Sequence, residues 1–155
     1  PTDAQSDAFP SIAHWVAQQG VANVYAPQLL DVMAPRWLAG DAGPGGGAPV
    51  FDAIFCANML HIAPWATCAA LMAGRVRHLA SGGALITYGP YLEDGVPTSA
   101  GNLAFDESLR SQNPAWGIRR REDVEIEAAR AGLCLAERHA LPANNLLLVW
   151  KHKAA

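Results

Sequence analysis

Two polar side chains that could do chemistry follow an apolar stretch in the middle of the chain. Residues 51–57 are rich in residues that favour strands, and Asn58 and His61 come soon after them. An imidazole titrates near neutral pH, so His61 is a candidate general base toward a nucleophilic substrate. The amide of Asn58 can both donate and accept hydrogen bonds. The alternative for His61 is a local role, in which it only orients the turn before Pro64.

A second set of candidates follows the next apolar stretch, residues 84–88. Tyr91 lies near the start of a predicted loop that runs to about Ser99, and loops of this length in compact domains usually have a function, such as a lid. Tyr91 could stack against a substrate or hold the donor atom of that substrate. Alternatively, its ring could anchor the loop to the core. The amides of Asn144 and Asn145 could satisfy a turn or bind a polar substrate.

Helices and strands alternate along the sequence. Apolar periodicity and glycine or proline boundaries predict helices over residues 10–19, 64–79, 103–111 and 122–131. They predict strands over residues 29–30, 51–57, 84–88, 133–140 and 146–150. This alternation indicates an α/β fold, with a mostly parallel sheet flanked by helices. The last two strands are joined by a short turn, which predicts a C-terminal hairpin that adds an antiparallel strand to one edge of the sheet.

Ligands of such sheets bind beyond the carboxyl ends of the strands. This rule adds Asp31 and Val32, which follow the short strand at 29–30, to Asn58 and its neighbours as candidates. The elements therefore predict one site assembled from several strand ends.

Composition excludes several classes of protein. The chain has 155 residues, of which 51% are hydrophobic and 16% charged, so we expect a single folded domain over 1–155, or a fragment of one, rather than a disordered polypeptide. The net charge of −3 argues against a nucleic-acid partner, and the basic triplet 119–121 is interpreted as a solvated helix start. No apolar stretch reaches the roughly 18 residues of a transmembrane helix, so no membrane partner is expected.

Cysteine, histidine and glycine patterns predict neither a metal site nor a dinucleotide site. Cys56, Cys68 and Cys134 form no CxxC pair and lie in apolar stretches, so we expect reduced core residues of a cytoplasmic protein. The five histidines lack zinc-ligand spacing. The glycines at 43–47 precede a strand instead of following one, which predicts a flexible surface connector over 39–49.

The segment around Asn58 also carries a family resemblance. Residues 51–62 resemble the fourth strand and following turn of class I, Rossmann-like S-adenosylmethionine-dependent methyltransferases, in which Asn, two apolar residues and His follow the strand. Residues 79–86 are similar to the fifth strand of that class, and the terminal hairpin to its antiparallel seventh strand, inserted between the fifth and sixth. A narrower resemblance, to an uncharacterised methyltransferase-like family, rests on five phrases in order: 57–65, 88–91, 102–106, 113–117 and 142–146.

The resemblance implies S-adenosylmethionine as cofactor and a place for each of its parts. Asp3 matches by position the acidic residue that binds the ribose hydroxyls, and Asp31, with Val32 beside it, matches the acid that accepts from the adenine amino group. Asn58 and Met59 match the turn beside the amino-acid end. A solvated carboxylate at Asp3 and a strand-end cap at Asp31 are the alternatives.

The resemblance implies methyl transfer to an unidentified small-molecule or protein acceptor, with His61 and Tyr91 as candidate catalytic residues. The alternative is a non-catalytic, methyltransferase-like binding module. The first strand and glycine-rich loop of the class would precede Pro1, which implies an N-terminally incomplete fold. We therefore expect the chain as given to be inactive and to bind the cofactor weakly. Two exposed strand edges would also make it marginally stable or favour pairing with another chain, including a homo-oligomer.

Overall fold

The computed structural model describes residues 1–38 and 49–153, apart from the side chains of Arg75 and Val76. Nearly all of the predicted connector at 39–49, with its glycine-rich stretch, lies outside the described residues. The chain forms two compact units, Pro1–Pro49 and Val50–Ala155. Within the described residues, no helix is long and apolar enough to span a membrane.

The first unit has three elements in the order strand, helix, strand: β1 (Thr2–Asp3), α1 (Phe9–Gln19) and β2 (Gln28–Leu29). Helix α1 confirms the prediction and ends at Gly20, whose φ of 63° is the left-handed conformation of a helix C-cap. The two strands are parallel, with Asp3 opposite Leu29, so their carboxyl ends share one edge. Strand β2 covers Gln28–Leu29 instead of the predicted 29–30, and Leu29 is 63% exposed.

The second unit contains the following elements in chain order: β3 (Phe51–Ala57), α2 (Ala66–His78), β4 (Leu79–Leu92), α3 (Ala100–Gln112), β5 (Arg119–Arg120), α4 (Arg121–Arg130), β6 (Leu133–Leu141) and β7 (Asn145–His152). The sheet order is β3-β4-β7-β6, and β5 pairs with the end of β4. Strands β3, β4 and β5 are parallel, and β7 is antiparallel to β4 and β6. The predicted α/β class, with a mostly parallel sheet and an antiparallel hairpin, is confirmed.

The C-terminal hairpin is built into the sheet. Trp150 pairs with Leu85 of β4 on one side and with Leu135 of β6 on the other. The expectation of an antiparallel strand added at one edge is therefore wrong, whereas the inserted position implied by the family resemblance is confirmed. The sequence explains this position, because Leu148, Val149 and Trp150 are consecutive buried residues, and an interior strand buries both faces.

Strand β4 is longer than predicted, and this changes the place of Tyr91. The sequence predicted a loop from Gly89 onward, but pairing with β5 extends the strand through Leu92. Tyr91 is therefore a strand residue, only 7% exposed, and not part of a lid. Its buried ring corresponds to the anchoring role that the sequence left as the alternative. Strand β5 was not predicted, because the basic triplet was interpreted as a helix start and only Arg121 begins α4.

The three cysteines differ in burial. Cys68 is buried and Cys56 half-buried, whereas Cys134 is exposed, so the expectation of core cysteines is wrong for Cys134. Burial raises the pKa of Cys56 to about 11 and that of Cys68 to about 12. Both thiols are therefore protonated near neutral pH and are poor nucleophiles.

The hydroxyl of Thr87 links two aromatic side chains of the core, those of Tyr91 and Trp150. Its hydroxyl oxygen accepts a hydrogen bond from the hydroxyl of Tyr91 at 2.8 Å and one from the indole Nε1 of Trp150 at 3.0 Å. Thr87 is 1% exposed and Trp150 is fully buried. Because neither donor can reach water, both depend on this one oxygen.

We expect Thr87→Val to lower the free energy of unfolding by about 2–4 kcal/mol, because two buried donors lose their acceptor. Thr87→Ser is the matched control, since it keeps the oxygen and removes only a methyl group, at a cost of about 1 kcal/mol. Urea denaturation measures both variants. An equal loss in the two would show that the methyl group, and not the hydroxyl, provides the stability.

Candidate functional site

A pocket in the second unit lies where β3 ends beside β4. Its volume is about 330 Å³. It is lined by residues of four segments: Asn58, His61, Pro90, Asn102, Phe105, Ala143 and Asn145. The turn after β3, the end of β4, the start of α3 and the turn between β6 and β7 thus meet at one place. This position agrees with the strand-end rule applied to the sequence.

Asn58 turns the chain directly after β3. Its φ of 57° is a left-handed conformation, which asparagine adopts more readily than most residues. Its backbone N–H donates to the carbonyl of Tyr88 at 2.8 Å, which extends the pairing with β4. A Cβ at Gly89 would lie 3.4 Å from both Asn58 Oδ1 and His61 Nδ1. The two polar side chains therefore converge on a stretch of β4 that has no side chain of its own.

His61 is buried but faces the pocket. It is 6% exposed, and its ring packs edge to face on Phe105 with centroids 5.6 Å apart. Among the described residues, neither ring nitrogen has a hydrogen-bond partner. Burial, and to a lesser extent the charge of Arg119, lowers the pKa of His61 below 6.5. The imidazole is therefore neutral at pH 7 and free to accept a proton.

Arg119 holds the turn that carries His61. Its guanidinium donates to three backbone carbonyls: Leu60 at 2.9 Å, Ala63 at 2.6 Å and Ala115 at 2.7 Å. The His61 carbonyl in turn accepts from the backbone N–H of Gly117 at 2.9 Å. A guanidinium suits this task because its donors form a rigid planar fork. The carbonyls on both sides of His61 are thus tied to the segment that leads into β5.

The opposite side of the pocket is fixed by the hairpin. Asn145 Nδ2 donates to the hydroxyl of Tyr88 at 3.0 Å, and Asn102 Nδ2 donates to the carbonyl of Asn144 at 3.3 Å. Both asparagines therefore stabilise the local structure and also line the pocket. Asn144 takes a left-handed φ of 57° in the turn. Of these two asparagines, Asn145 is the one that lines the pocket.

Among the lining residues that sequence reasoning missed are two of helix α3. Asn102 and Phe105 lie in helix α3, one turn apart, within the phrase 102–106 that contributed to the family resemblance. That phrase was the available signal, but nothing local in it assigned a role to either residue. Met59 and Tyr91, by contrast, were predicted site residues and are not in the pocket lining.

In the first unit, two predicted site carboxylates lie at the carboxyl ends of the paired strands β1 and β2. Asp3 ends β1 and Asp31 follows β2 by two residues, and the N–H of Leu30 donates to the Asp3 carbonyl at 2.8 Å. One oxygen of each carboxylate caps its own turn, accepting from the N–H of Gln5 or of Met33, each at 2.9 Å. Within the described residues, the second oxygen of each has no partner. Exposed carboxylates with one open oxygen fit a ligand that presents hydroxyl and amino donors, as a nucleoside does.

Val32 lies directly after Asp31 and is half-buried. Its carbonyl accepts from the indole Nε1 of the buried Trp37 at 3.1 Å. This bond fixes the backbone beside the carboxylate, so Val32 is held in place.

Solved structures share this fold. Mitomycin 7-O-methyltransferase MmcR superposes with a TM-score of 0.74 at 12% identity, over 98% of this chain and 41% of that chain. An O-methyltransferase of neocarzinostatin biosynthesis, solved with S-adenosylmethionine and 2-hydroxy-5-methyl naphthoic acid, gives 0.70 at 14% identity, over 98% and 40%. A pericyclic reaction enzyme gives 0.69 at 15%, over 98% and 35%. The chain therefore spans less than half the length of these proteins, and they establish the fold without fixing the reaction.

A family model covers almost the whole chain. The model is described as a protein of unknown function, DUF938, and matches residues 1–152. The chain is thus a member of the DUF938 family, and its fold is that of S-adenosylmethionine-dependent methyltransferases.

Proposed function

We propose that this chain is a domain for S-adenosylmethionine-dependent methyl transfer to a small-molecule or protein acceptor. The observation that carries the proposal is the buried, neutral His61 beside Asn58 in an open pocket at the end of β3. Neighbouring structures named as O-methyltransferases support a hydroxyl as the accepting group.

The residues suited to hold the cofactor lie at strand ends. The open carboxylate oxygens of Asp3 and Asp31 suit ribose hydroxyls and the adenine amino group, with Val32 beside them. In the second unit, considered by itself, Asn58 and the neighbouring Met59 are the candidates for the amino-acid end. When bound, S-adenosylmethionine supplies a methyl group on a sulfonium, which is already activated, so that the protein contributes mainly alignment.

His61 is proposed to take the proton of the acceptor hydroxyl. A general base must be unprotonated and within hydrogen-bond reach of that proton. His61 meets the first condition because burial lowers its pKa, and its ring nitrogens are open to a molecule in the pocket. The proton leaves the acceptor oxygen for the imidazole as that oxygen becomes methylated. Tyr91 is not given a catalytic role, because its hydroxyl is committed to Thr87.

A non-catalytic binding module is the alternative. It fits the same fold, since a fold alone does not determine a reaction. The two functions differ in one outcome: the module, which binds a partner or has lost cofactor binding, would give no methylated product from any acceptor. The chemistry of His61 is therefore the feature to test.

We expect His61→Gln to lower the rate of methyl transfer by about 10²–10⁴-fold, which is the usual contribution of a general base. The measurement, on the full-length natural protein, is transfer of a tritiated methyl group from S-adenosylmethionine to a pool of hydroxylated small molecules. His152→Gln, at the exposed end of β7, is the matched control and should retain the full rate. The wild-type rate should persist into weakly acidic solution and fall only below the lowered pKa of His61. Full activity of His61→Gln would refute the role of the imidazole.

We expect Asp31→Asn to weaken binding of S-adenosylhomocysteine by about tenfold, because a hydrogen bond to a charged acceptor is replaced by a neutral one. Calorimetric titration of the full-length natural protein measures the affinity. Asp7→Asn removes an exposed carboxylate of the same unit and should have no effect. Equal affinities of the wild-type protein and Asp31→Asn would remove Asp31 from the cofactor site.

We expect Arg119→Gln to raise the pKa of His61, because the positive charge of Arg119 disfavours the imidazolium. Proton–carbon NMR of the histidine rings across a pH series measures this pKa. Arg130→Gln removes an exposed arginine from α4 and should leave the value unchanged. If His61 titrates identically in Arg119→Gln and in the wild-type protein, Arg119 does not influence the base.

A further inference from the structure

The pocket at the end of β3 is polar but carries no ionised side chain. In the part of the chain that the structure describes, its polar lining consists of three asparagine amides and the imidazole of His61. Because the pKa of His61 is lowered, this group is also neutral at pH 7. The nearby cation, Arg119, directs its guanidinium donors at backbone carbonyls.

The hydrogen bonds within the protein leave mostly acceptors for a ligand. The Nδ2 of Asn102 faces the carbonyl of Asn144, and the Nδ2 of Asn145 faces the carbonyl of Pro142 and the hydroxyl of Tyr88. A carbonyl can only accept, so the nitrogen of each amide must be the atom that faces it. The Oδ1 atoms of Asn102 and Asn145 are therefore left for a ligand, together with one N–H of the Asn102 amide. His61 adds a further acceptor when it acts as a base.

The remaining lining is apolar. The ring of Phe105 is 41% exposed, and Pro90 and Ala143 complete the lining. Such surfaces suit a flat apolar framework, which would be stabilised by burial of its faces.

We propose that this pocket selects an uncharged acceptor with hydroxyl or amino donors on a flat apolar framework, and that it rejects carboxylates and phosphates. This inference rests on the proposed function, because it specifies what the same site accepts. An anion entering the pocket would lose its hydration and face the amide oxygens of Asn102 and Asn145, while the guanidinium of Arg119 is already bonded to backbone carbonyls, which is unfavourable. A ligand with donors would instead satisfy those oxygens.

Three ring compounds with the same substitution pattern test the proposal. Resorcinol has two hydroxyl donors, 3-hydroxybenzoate replaces one of them by a carboxylate, and 1,3-dimethoxybenzene has no donor. Each is titrated at pH 7.5 into the isotope-labelled full-length natural protein with saturating S-adenosylhomocysteine, and shifts of the His61 ring and of the asparagine side-chain amides are followed by NMR. We expect saturable shifts with resorcinol and at least about tenfold weaker binding of each of the other two compounds, as expected for the loss of one or more hydrogen bonds.

A charge placed in the lining should reverse this selectivity. Asn102→Lys puts an ammonium group beside the pocket, and we expect it to bind 3-hydroxybenzoate more tightly than resorcinol. Ala104→Lys adds the same charge two residues further along α3, a spacing that points to a different face of the helix, and should keep the wild-type order.

Two results would overturn the proposal. One is equal or tighter binding of 3-hydroxybenzoate to the wild-type protein, and the other is an absence of shifts at His61 with all three compounds. Calorimetry with S-adenosylhomocysteine on the same sample separates these results from failure of the proposed function. If the cofactor product binds while the ring compounds behave in either of these ways, only the selectivity is wrong. If the cofactor product does not bind, the proposed function fails.

Discussion

The fork of hydrogen bonds from Arg119 is the interaction on which the candidate site depends. A turn that leaves a parallel strand has backbone carbonyls without partners in the sheet, and such groups are costly when they are removed from water. One guanidinium satisfies two of them, at Leu60 and Ala63, and joins them to the carbonyl of Ala115. The turn can therefore be fixed and partly buried at the same time. Burial of His61, and with it the neutral state of its ring, follows from that arrangement.

The sheet supplies the other half of the site. Because β7 lies between β4 and β6, the turn of the hairpin is carried to the same end of the sheet as the turn after β3. Asn145 then contacts Tyr88 of β4, while Thr87, the neighbour of Tyr88, binds Trp150 of β7 within the core. The contacts that stabilise β4 against β7 thus also set the distance across the pocket. Gly89 completes the arrangement, because its missing side chain leaves room for Asn58 and His61.

Local sequence patterns predicted most helices and strands. They failed where contacts between distant residues determine the length of a strand or the partners of a side chain. Helix α1 and strand β3 follow from apolar periodicity and clear end signals, and both formed as predicted. The extension of β4 to Leu92 depends on pairing with β5, a two-residue strand that no local pattern marks. Arg119 was likewise interpreted from its charged neighbours, yet two of its partners lie 59 and 56 residues away. Asn58 and His61 were found because they directly follow a strand, whereas Asn102 and Phe105 reach the site only through the packing of α3.

We propose that the pocket at the end of β3 holds the methyl acceptor against His61. A crystal structure of the full-length natural protein, with S-adenosylhomocysteine and an acceptor identified by methyl transfer, tests it most directly. We expect an acceptor oxygen within hydrogen-bond reach, about 2.6–3.2 Å, of a ring nitrogen of His61. An acceptor bound elsewhere, with this pocket filled only by water, would contradict it.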